Sequence, residues 1–178
     1  TYGSNYGLFG VGSYFTSSKA IGESYTKKGK GGNPQVYEVY LDIENPIDMD
    51  AKAKPSEWVS AFPEVNFPKS GTNEAFYRAV EEYYADQYMP KWEAAEAIQE
   101  TLESVMGYDG ITHIGGGRVK ADGERHRVYI AFHEEQIKRT DNANPTTNPD
   151  IRYSERDYEA AEIANLESEV AALERRLG

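Results

Sequence analysis

The chain has 178 residues, enough for one domain and an appendage, and its 19 basic and 30 acidic residues give a net charge of −11. This acidic balance disfavours general binding to nucleic acids or anionic membranes. The sequence contains no cysteine, which excludes disulfides, thiolate zinc sites and a cysteine nucleophile. No apolar run approaches the roughly 18 residues of a membrane span. The chain opens at Thr1 without a signal-like segment, so we expect it to be part of a longer polypeptide.

The first predicted elements are a glycine-rich loop, a short strand and a helix. Residues 1–12 (TYGSNYGLFGVG) combine glycine with tyrosine, which is typical of a loop with backbone freedom. Residues 13–16 then form a short strand that runs into a helix ending near Tyr25. Ser17 or Ser18 is the predicted N-cap of that helix, because a serine hydroxyl can accept from a free amide of the first turn.

A strict alternation of side chains predicts a strand at residues 35–43 (QVYEVYLDI), which the pair Asn45-Pro46 ends. One side of this strand is predicted to be buried because all its members are apolar or aromatic. These residues are Tyr37, Val39, Leu41 and Ile43.

A helical insertion is predicted at about residues 50–106. Its first part, residues 50–71, contains three prolines and is predicted to be irregular. Thr72 or Asn73 caps a helix that Pro90 stops.

A second helix is predicted from about Lys91 to Met106, with Gly107 as its C-cap. Its apolar residues recur at helical spacing and form one stripe that faces the core. The stripe consists of Trp92, Ala95, Ile98, Leu102 and Val105.

The remaining strands are predicted at residues 108–114 and 126–132, separated by the glycine-rich loop 115–125 and followed by a helical turn near 135–137. The histidines at 113, 126 and 133 lack the spacing of a metal motif, and the sequence predicts no metal site.

A domain boundary is predicted where the composition changes. Residues 1–140 form the domain, residues 141–153 (DNANPTTNPDIRY) have linker composition, and residues 154–178 form a helical tail. The tail is either a coiled coil that self-associates or binds a partner helix, or a helix that packs on its own domain. Its heptad positions are Ile163, Leu166, Val170, Leu173 and Leu177.

The run Gly10-Val11-Gly12-Ser13-Tyr14-Phe15, with Tyr25 eleven residues after Tyr14, resembles the NAD-binding signature of ADP-ribosyltransferases of the H-Y-E class. This class contains diphtheria toxin and the poly(ADP-ribose) polymerases. Later segments resemble the family in the same order, at residues 41–48, 107–111 and 129–138. Residues 148–154 resemble the segment that follows such domains in phage-borne polyvalent and MuF-type proteins.

The resemblance implies an α+β fold with a split, mostly antiparallel β core, a cleft and flanking helices. It implies NAD as the substrate, with Tyr14 and Tyr25 stacked on the two faces of nicotinamide. Two tyrosine faces can hold this flat cation by stacking and cation–π attraction. The other binding residues that it implies are Gly10, Gly12, Phe15 and Ser17, and the glycines would let the backbone approach the dinucleotide.

The sequence departs from the family pattern at three places. No histidine precedes Tyr14 in the expected context, so we expect that the N-terminal strand of the fold is missing from this chain or, alternatively, that its motif has diverged. The family glutamate falls on Val128, and a serine that often binds the nicotinamide amide falls on Gly22. Glu124 could replace the glutamate if its loop folds back, so the candidate catalytic residues are Tyr14 and Glu124.

The activity implied by the resemblance is transfer of ADP-ribose from NAD to a macromolecule, with a protein as the expected target and nicotinamide as the product. The phage-like segment implies an effector or toxin module that is part of a phage particle or is delivered into bacterial cytoplasm. The alternatives are an NAD glycohydrolase, a catalytically inactive module that binds NAD or a partner, and a structural component of a virion.

Overall fold

A computed structural model describes residues 7–26, 36–116 and 125–142, together with Ile163. Six strands and four helices are present in these ranges. In chain order they are β1 (Ser13–Thr16), α1 (Lys19–Thr26), β2 (Val39–Leu41), β3 (Pro46–Asp48), α2 (Pro55–Ala61), α3 (Asn73–Asp86), α4 (Lys91–Ser104), β4 (Gly110–Gly115), β5 (His126–Ala131) and β6 (Ile137–Arg139), with a 3-10 turn at Glu134–Gln136 before β6.

The fold is α+β and its strands form two separate sheets, as the sequence predicted. The larger sheet has the order β1-β5-β4-β3, in which β5 is antiparallel to both of its neighbours and β3 is parallel to β4. The smaller sheet contains β2 and β6 in antiparallel pairing. The chain divides into two compact units: one contains the larger sheet and the four helices, and the other contains β2 and β6.

The core of the first unit lies on one face of the larger sheet. Ile47, Ile111 and Ile130 are neighbours across β3, β4 and β5, and each is at most 1% exposed. Helices α2, α3 and α4 cover this face with aromatic and aliphatic side chains. These are Trp58, Phe76, Tyr77, Val80, Ile98 and Leu102. In the described part of the chain, no helix is long and apolar enough to span a membrane.

The second unit is held by a short ladder of three residue pairs, from Val39 with Arg139 to Leu41 with Ile137. The predicted strand at residues 35–43 was too long, because only residues 39–41 pair with another strand. Tyr37 was predicted to be buried but is 56% exposed. Ile43, also outside the ladder, is partly buried, and its side chain lies against Gly110 of β4.

Two elements differ from the sequence predictions, and a third was expected only from the family resemblance. Helix α2 occupies part of the region predicted to be irregular, and Pro55 opens it because proline is tolerated in a first helical turn. Pro46 was taken as the end of a strand, but it begins β3, where the first position needs no amide donor. Strand β6 follows the predicted helical turn and begins within residues 129–138, which resemble the last strands of the family.

The two long helices agree with their predicted lengths to within a few residues, but the C-cap of α4 is Val105 and not the predicted Gly107. Thr72 is the N-cap of α3, and its hydroxyl accepts from the Ala75 amide at 3.3 Å. The apolar stripe of α4 was wrong at both ends, since Trp92 is 57% and Val105 61% exposed. The predicted tail lies outside the described residues apart from Ile163, which is helical and exposed.

Candidate functional site

A tight glycine-rich turn leads into β1. The amide of Gly7 donates to the carbonyl of Gly10 at 2.9 Å, and these two residues form an isolated antiparallel bridge. Gly10 has a φ of +84° and Gly12 a φ of +135°, which are conformations that favour glycine. The turn therefore depends on the glycines that the sequence analysis assigned to NAD binding.

The side chain of Tyr14, on β1, fixes this turn. Its hydroxyl accepts from the Phe9 amide at 3.1 Å and donates to the Gly10 carbonyl at 2.9 Å. The ring lies so close to Gly7 that a Cβ atom there would be 2.3 Å from Tyr14 Cζ. The half-buried ring is thus held in one position by the protein itself, and it also packs against the core.

Gly10 and Gly12 are both required by contacts within the protein. A Cβ atom on Gly10 would lie 3.0 Å from Tyr77 Oη and 3.2 Å from Ala95 Cβ, at the point where the turn meets α3 and α4. A Cβ atom on Gly12 would lie 2.7 Å from Ile130 Cγ2. The sequence analysis explained these glycines by approach to a dinucleotide, whereas the structure gives each of them a packing role.

Phe15 and Ser17 lie away from the Tyr14 ring. Phe15 pairs with Tyr129 on β5, and its side chain is on the opposite face of the sheet from Tyr14 because successive residues of a strand alternate. Ser17 follows β1, where its hydroxyl accepts from the Arg127 amide at 3.0 Å and its own amide donates to the Arg127 carbonyl at 2.9 Å. Ser17 therefore joins the ends of β1 and β5.

Helix α1 begins directly after this junction and carries the second predicted tyrosine. Ser18 is its cap, since its hydroxyl accepts from the Ile21 amide at 3.4 Å. Tyr25 lies in the last turn of α1, and its side chain is outside the described residues. Gly22 occupies the middle of the helix. Glu124, the candidate carboxylate, also lies outside the described residues.

Val128 occupies the position at which the family resemblance calls for glutamate. It lies on β5, between Thr16 on β1 and His113 on β4. It is half-buried and packs against the core. Val128 and Tyr14 are on the same face and diagonal to one another, which places their Cα atoms about 7–8 Å apart. A carboxylate at position 128 would be a near neighbour of the Tyr14 ring.

His113 is linked to the site in a way that the sequence analysis missed. The spacing of the histidines gave this residue no predicted role, but it is 5% exposed and its ring centroid is 4.9 Å from that of Phe9. The Phe9 amide in turn donates to Tyr14. Burial does not alternate along β4, where residues 110–113 are all buried, so the strand pattern gave no signal for this position. Across the described ranges no group of three acidic or histidine side chains could hold a metal ion.

A comparison with known families identifies the family of the chain. A family model described as ADP-ribosyltransferase in polyvalent proteins matches residues 2–147. This range contains every strand and helix whose bounds are given above. No curated protein and no solved structure gives a significant match.

Proposed function

Because the chain belongs to the family of ADP-ribosyltransferases in polyvalent proteins, we propose that it transfers ADP-ribose from NAD to a macromolecule and releases nicotinamide. The observation that carries the proposal is the position of Tyr14. This residue stands at the start of the matched fold, on a strand that follows a glycine-rich turn, and its ring is fixed by two hydrogen bonds of its hydroxyl.

A fixed ring suits the binding of a flat cation. The Tyr14 ring needs no ordering when a ligand arrives, so little conformational entropy is lost on binding. Gly7 leaves the space that the ring occupies, because any side chain there would collide with it. In the proposed site Tyr14 stacks on one face of nicotinamide and Tyr25 on the other.

The proposed reaction replaces nicotinamide with an acceptor at the ribose carbon. The carbon–nitrogen bond breaks with its electron pair leaving on nicotinamide, and the acceptor's nucleophile forms the new bond and loses a proton. NAD supplies the reactive ribose carbon. This chain would orient NAD and the acceptor and stabilise the positive charge that develops on the ribose. Glu124 is the candidate for the last role.

We propose a protein as the acceptor and an effector or toxin module as the biological role. The support for this is the resemblance of residues 148–154 to phage-borne polyvalent proteins. The net charge of −11 supports a protein rather than a nucleic acid as the target, since like charge repels a polyphosphate chain.

One observation favours a second candidate function, which is binding of NAD without transfer. Val128 lies diagonal to Tyr14, where a carboxylate would be expected, and an aliphatic side chain neither accepts a hydrogen bond nor stabilises a cation. A domain of this kind would hold NAD or a partner without breaking the glycosidic bond.

Calorimetric titration of NAD into the full chain, with nicotinamide release assayed on the same samples, tests the proposal. We expect Tyr14→Ala and Tyr25→Ala each to weaken binding about tenfold, because each removes one stacking face. Tyr14→Phe is the matched control, since it keeps the ring and removes only the hydroxyl that holds the turn. A thermal melt of each variant separates loss of stacking from loss of fold.

The outcomes distinguish the candidates. Release that depends on an added protein, which becomes labelled with ADP-ribose, supports the transferase. Release without an acceptor indicates NAD hydrolysis. Binding without release supports the second candidate, and Val128→Glu is then expected to produce nicotinamide. Absence of NAD binding by the folded chain contradicts both proposals.

A further inference from the structure

The turn between α3 and α4 presents two large aromatic side chains to solvent. Tyr88 is 95% exposed, which is the highest value among the exposed large hydrophobic residues of the described chain, and Trp92 is 57% exposed. We call these two residues the aromatic tip. Their rings have a large apolar area that folding of this chain leaves mostly in water.

The backbone conformation at Tyr88 is unfavourable for a residue that has a side chain. After α3 ends at Asp86, the Tyr88 amide donates to the Ala85 carbonyl at 3.0 Å and the Met89 amide to the Tyr84 carbonyl at 3.0 Å. This pattern closes a helix through a residue in the left-handed conformation, which is usually glycine. Tyr88 adopts it with a φ of +60°.

The strain is not offset by burial of the ring. Tyr88 exposes nearly all of its surface, so the side chain adds almost no packing to the protein. A strained residue that contributes little to its own fold points to a role outside that fold. Since the ring projects from a helical hairpin, the available role is contact with another molecule.

The surroundings of the tip are acidic. Helices α3 and α4 contain eight acidic and two basic residues, so residues 73–104 have a net charge of −6. Arg78 is already paired with Glu74 at 3.6 Å and with Glu81. Exposed Asp86 and Glu93 flank the tip, and exposed Lys91 lies between its two aromatic residues, so the negative charge comes from the two helices as a whole. This charge repels nucleic acids and anionic lipids and attracts a cationic surface.

We propose that the aromatic tip is the docking point for a protein partner with a basic surface around an apolar pocket. Tyrosine and tryptophan supply much of the binding energy at the centre of protein interfaces, where charged residues surround them. The acidic helices would steer the basic partner, and the two rings would enter its pocket. The proposal is independent of the NAD reaction.

A defined cationic peptide tests this surface in the full chain. The probe is a labelled amphipathic helix of leucine and lysine, and its leucine–glutamate counterpart is the charge control; binding is followed by fluorescence anisotropy. We expect the lysine peptide alone to bind, with an affinity that falls as salt rises. Tyr88→Gly and Trp92→Ala are each expected to weaken this binding about tenfold. Val105→Ala, at the far end of α4, is expected to leave it unchanged.

Stability measurements keep the test independent of folding. Tyr88→Gly relieves the left-handed strain, so we expect the melting temperature to rise by about 2–4 °C while peptide binding falls. NAD titration of the same variant should match that of the original chain. The proposal is overturned by a lower melting temperature for Tyr88→Gly, by peptide binding that survives both tip substitutions, or by failure of the lysine peptide to bind.

Discussion

At the scale of single residues, Gly12 and Gly107 show how differently two glycines can be used. Both have a positive φ, +135° and +74° respectively. A Cβ atom on Gly12 would meet Ile130 Cγ2 at 2.7 Å and the backbone oxygen of Ala131 at 2.8 Å, whereas one on Gly107 would have no neighbour within 4 Å. Gly12 is therefore required both by its conformation and by lack of space.

We expect Gly12→Ala to lower the free energy of unfolding by about 2–4 kcal/mol, because it adds a backbone clash to an unfavourable φ. Gly107→Ala is the matched control and should cost only about 1 kcal/mol, since it adds conformational strain alone. Urea denaturation of the two variants measures the difference. Equal losses in the free energy of unfolding for the two variants would show that the glycine-rich turn can move away from β5.

The binding roles assigned to residues of the candidate site stay predictions, and the surroundings of these residues could not be predicted from the sequence. The family resemblance singled out Gly10, Gly12 and Tyr14, which the spacing alone would not have distinguished from a loop and a core tyrosine. It could not show that the Tyr14 hydroxyl closes the glycine turn, since that contact depends on the path of the chain between them. The association of His113 with Phe9 likewise joins residues that are more than one hundred positions apart.

At the scale of elements, the start of α3 connects the helices to the sheet. The Asn73 side chain accepts from Trp58 Nε1 at 3.1 Å and donates to the Asp48 carbonyl at 2.9 Å. The backbone amide of Asn73 donates to the Ala51 carbonyl at 2.9 Å, which satisfies one of the free backbone amides of the first turn of α3. A single side chain thus ties α2 and α3 to the end of β3.

Asn73→Ala should destabilise the protein by about 2–3 kcal/mol, because it leaves the indole nitrogen of fully buried Trp58 and a backbone carbonyl without this partner. Thr72→Ala removes only the cap of the same helix and should cost about 1 kcal/mol. Chemical denaturation followed by circular dichroism compares them. A smaller loss for Asn73→Ala than for Thr72→Ala would contradict the bridging role.

Elements with strong local signals were predictable, and those defined by their partners were not. The sequence of α3 and α4 contains hydrophobic residues at helical spacing, the N-cap Thr72 before α3 and Pro90 between the two helices. Strands β3 and β6 have three residues each, too few to show a period. Their identity comes from pairing with β4 and β2. The proposed boundary at residues 141–153 stays a prediction.

At the scale of the whole molecule, several tyrosines couple folding to alkaline pH. Burial raises the pKa of Tyr84, with a smaller contribution from the Glu64 carboxylate. Burial also raises the pKa of Tyr108, whose hydroxyl donates to Glu57 at 3.3 Å. The hydrogen bond from Tyr83 to Glu64, at 2.6 Å, raises the pKa of Tyr83. In each case the folded protein favours the neutral phenol.

The sign of the pH dependence follows from these shifts. An unfolded tyrosine has a pKa of about 10, and the folded values lie above it. The stabilisation is therefore fully present below about pH 10 and is lost as the pH rises through the folded values, because the unfolded chain releases its protons first. We expect the urea midpoint to be level between about pH 8 and 9 and to fall steeply above about pH 10.

The double variant Tyr84→Phe, Tyr108→Phe tests whether these two residues cause the loss. Phenylalanine keeps most of each ring's packing and cannot ionise, so the variant should lose less stability than the original chain over the same rise in pH. Tyr40→Phe is the matched control, since Tyr40 is 63% exposed and the substitution makes the same change outside the packed core. An alkaline loss of equal size in the double variant would mean that other groups govern it. A flatter profile would trace the alkaline limit of this fold to the packing around α2 and α3.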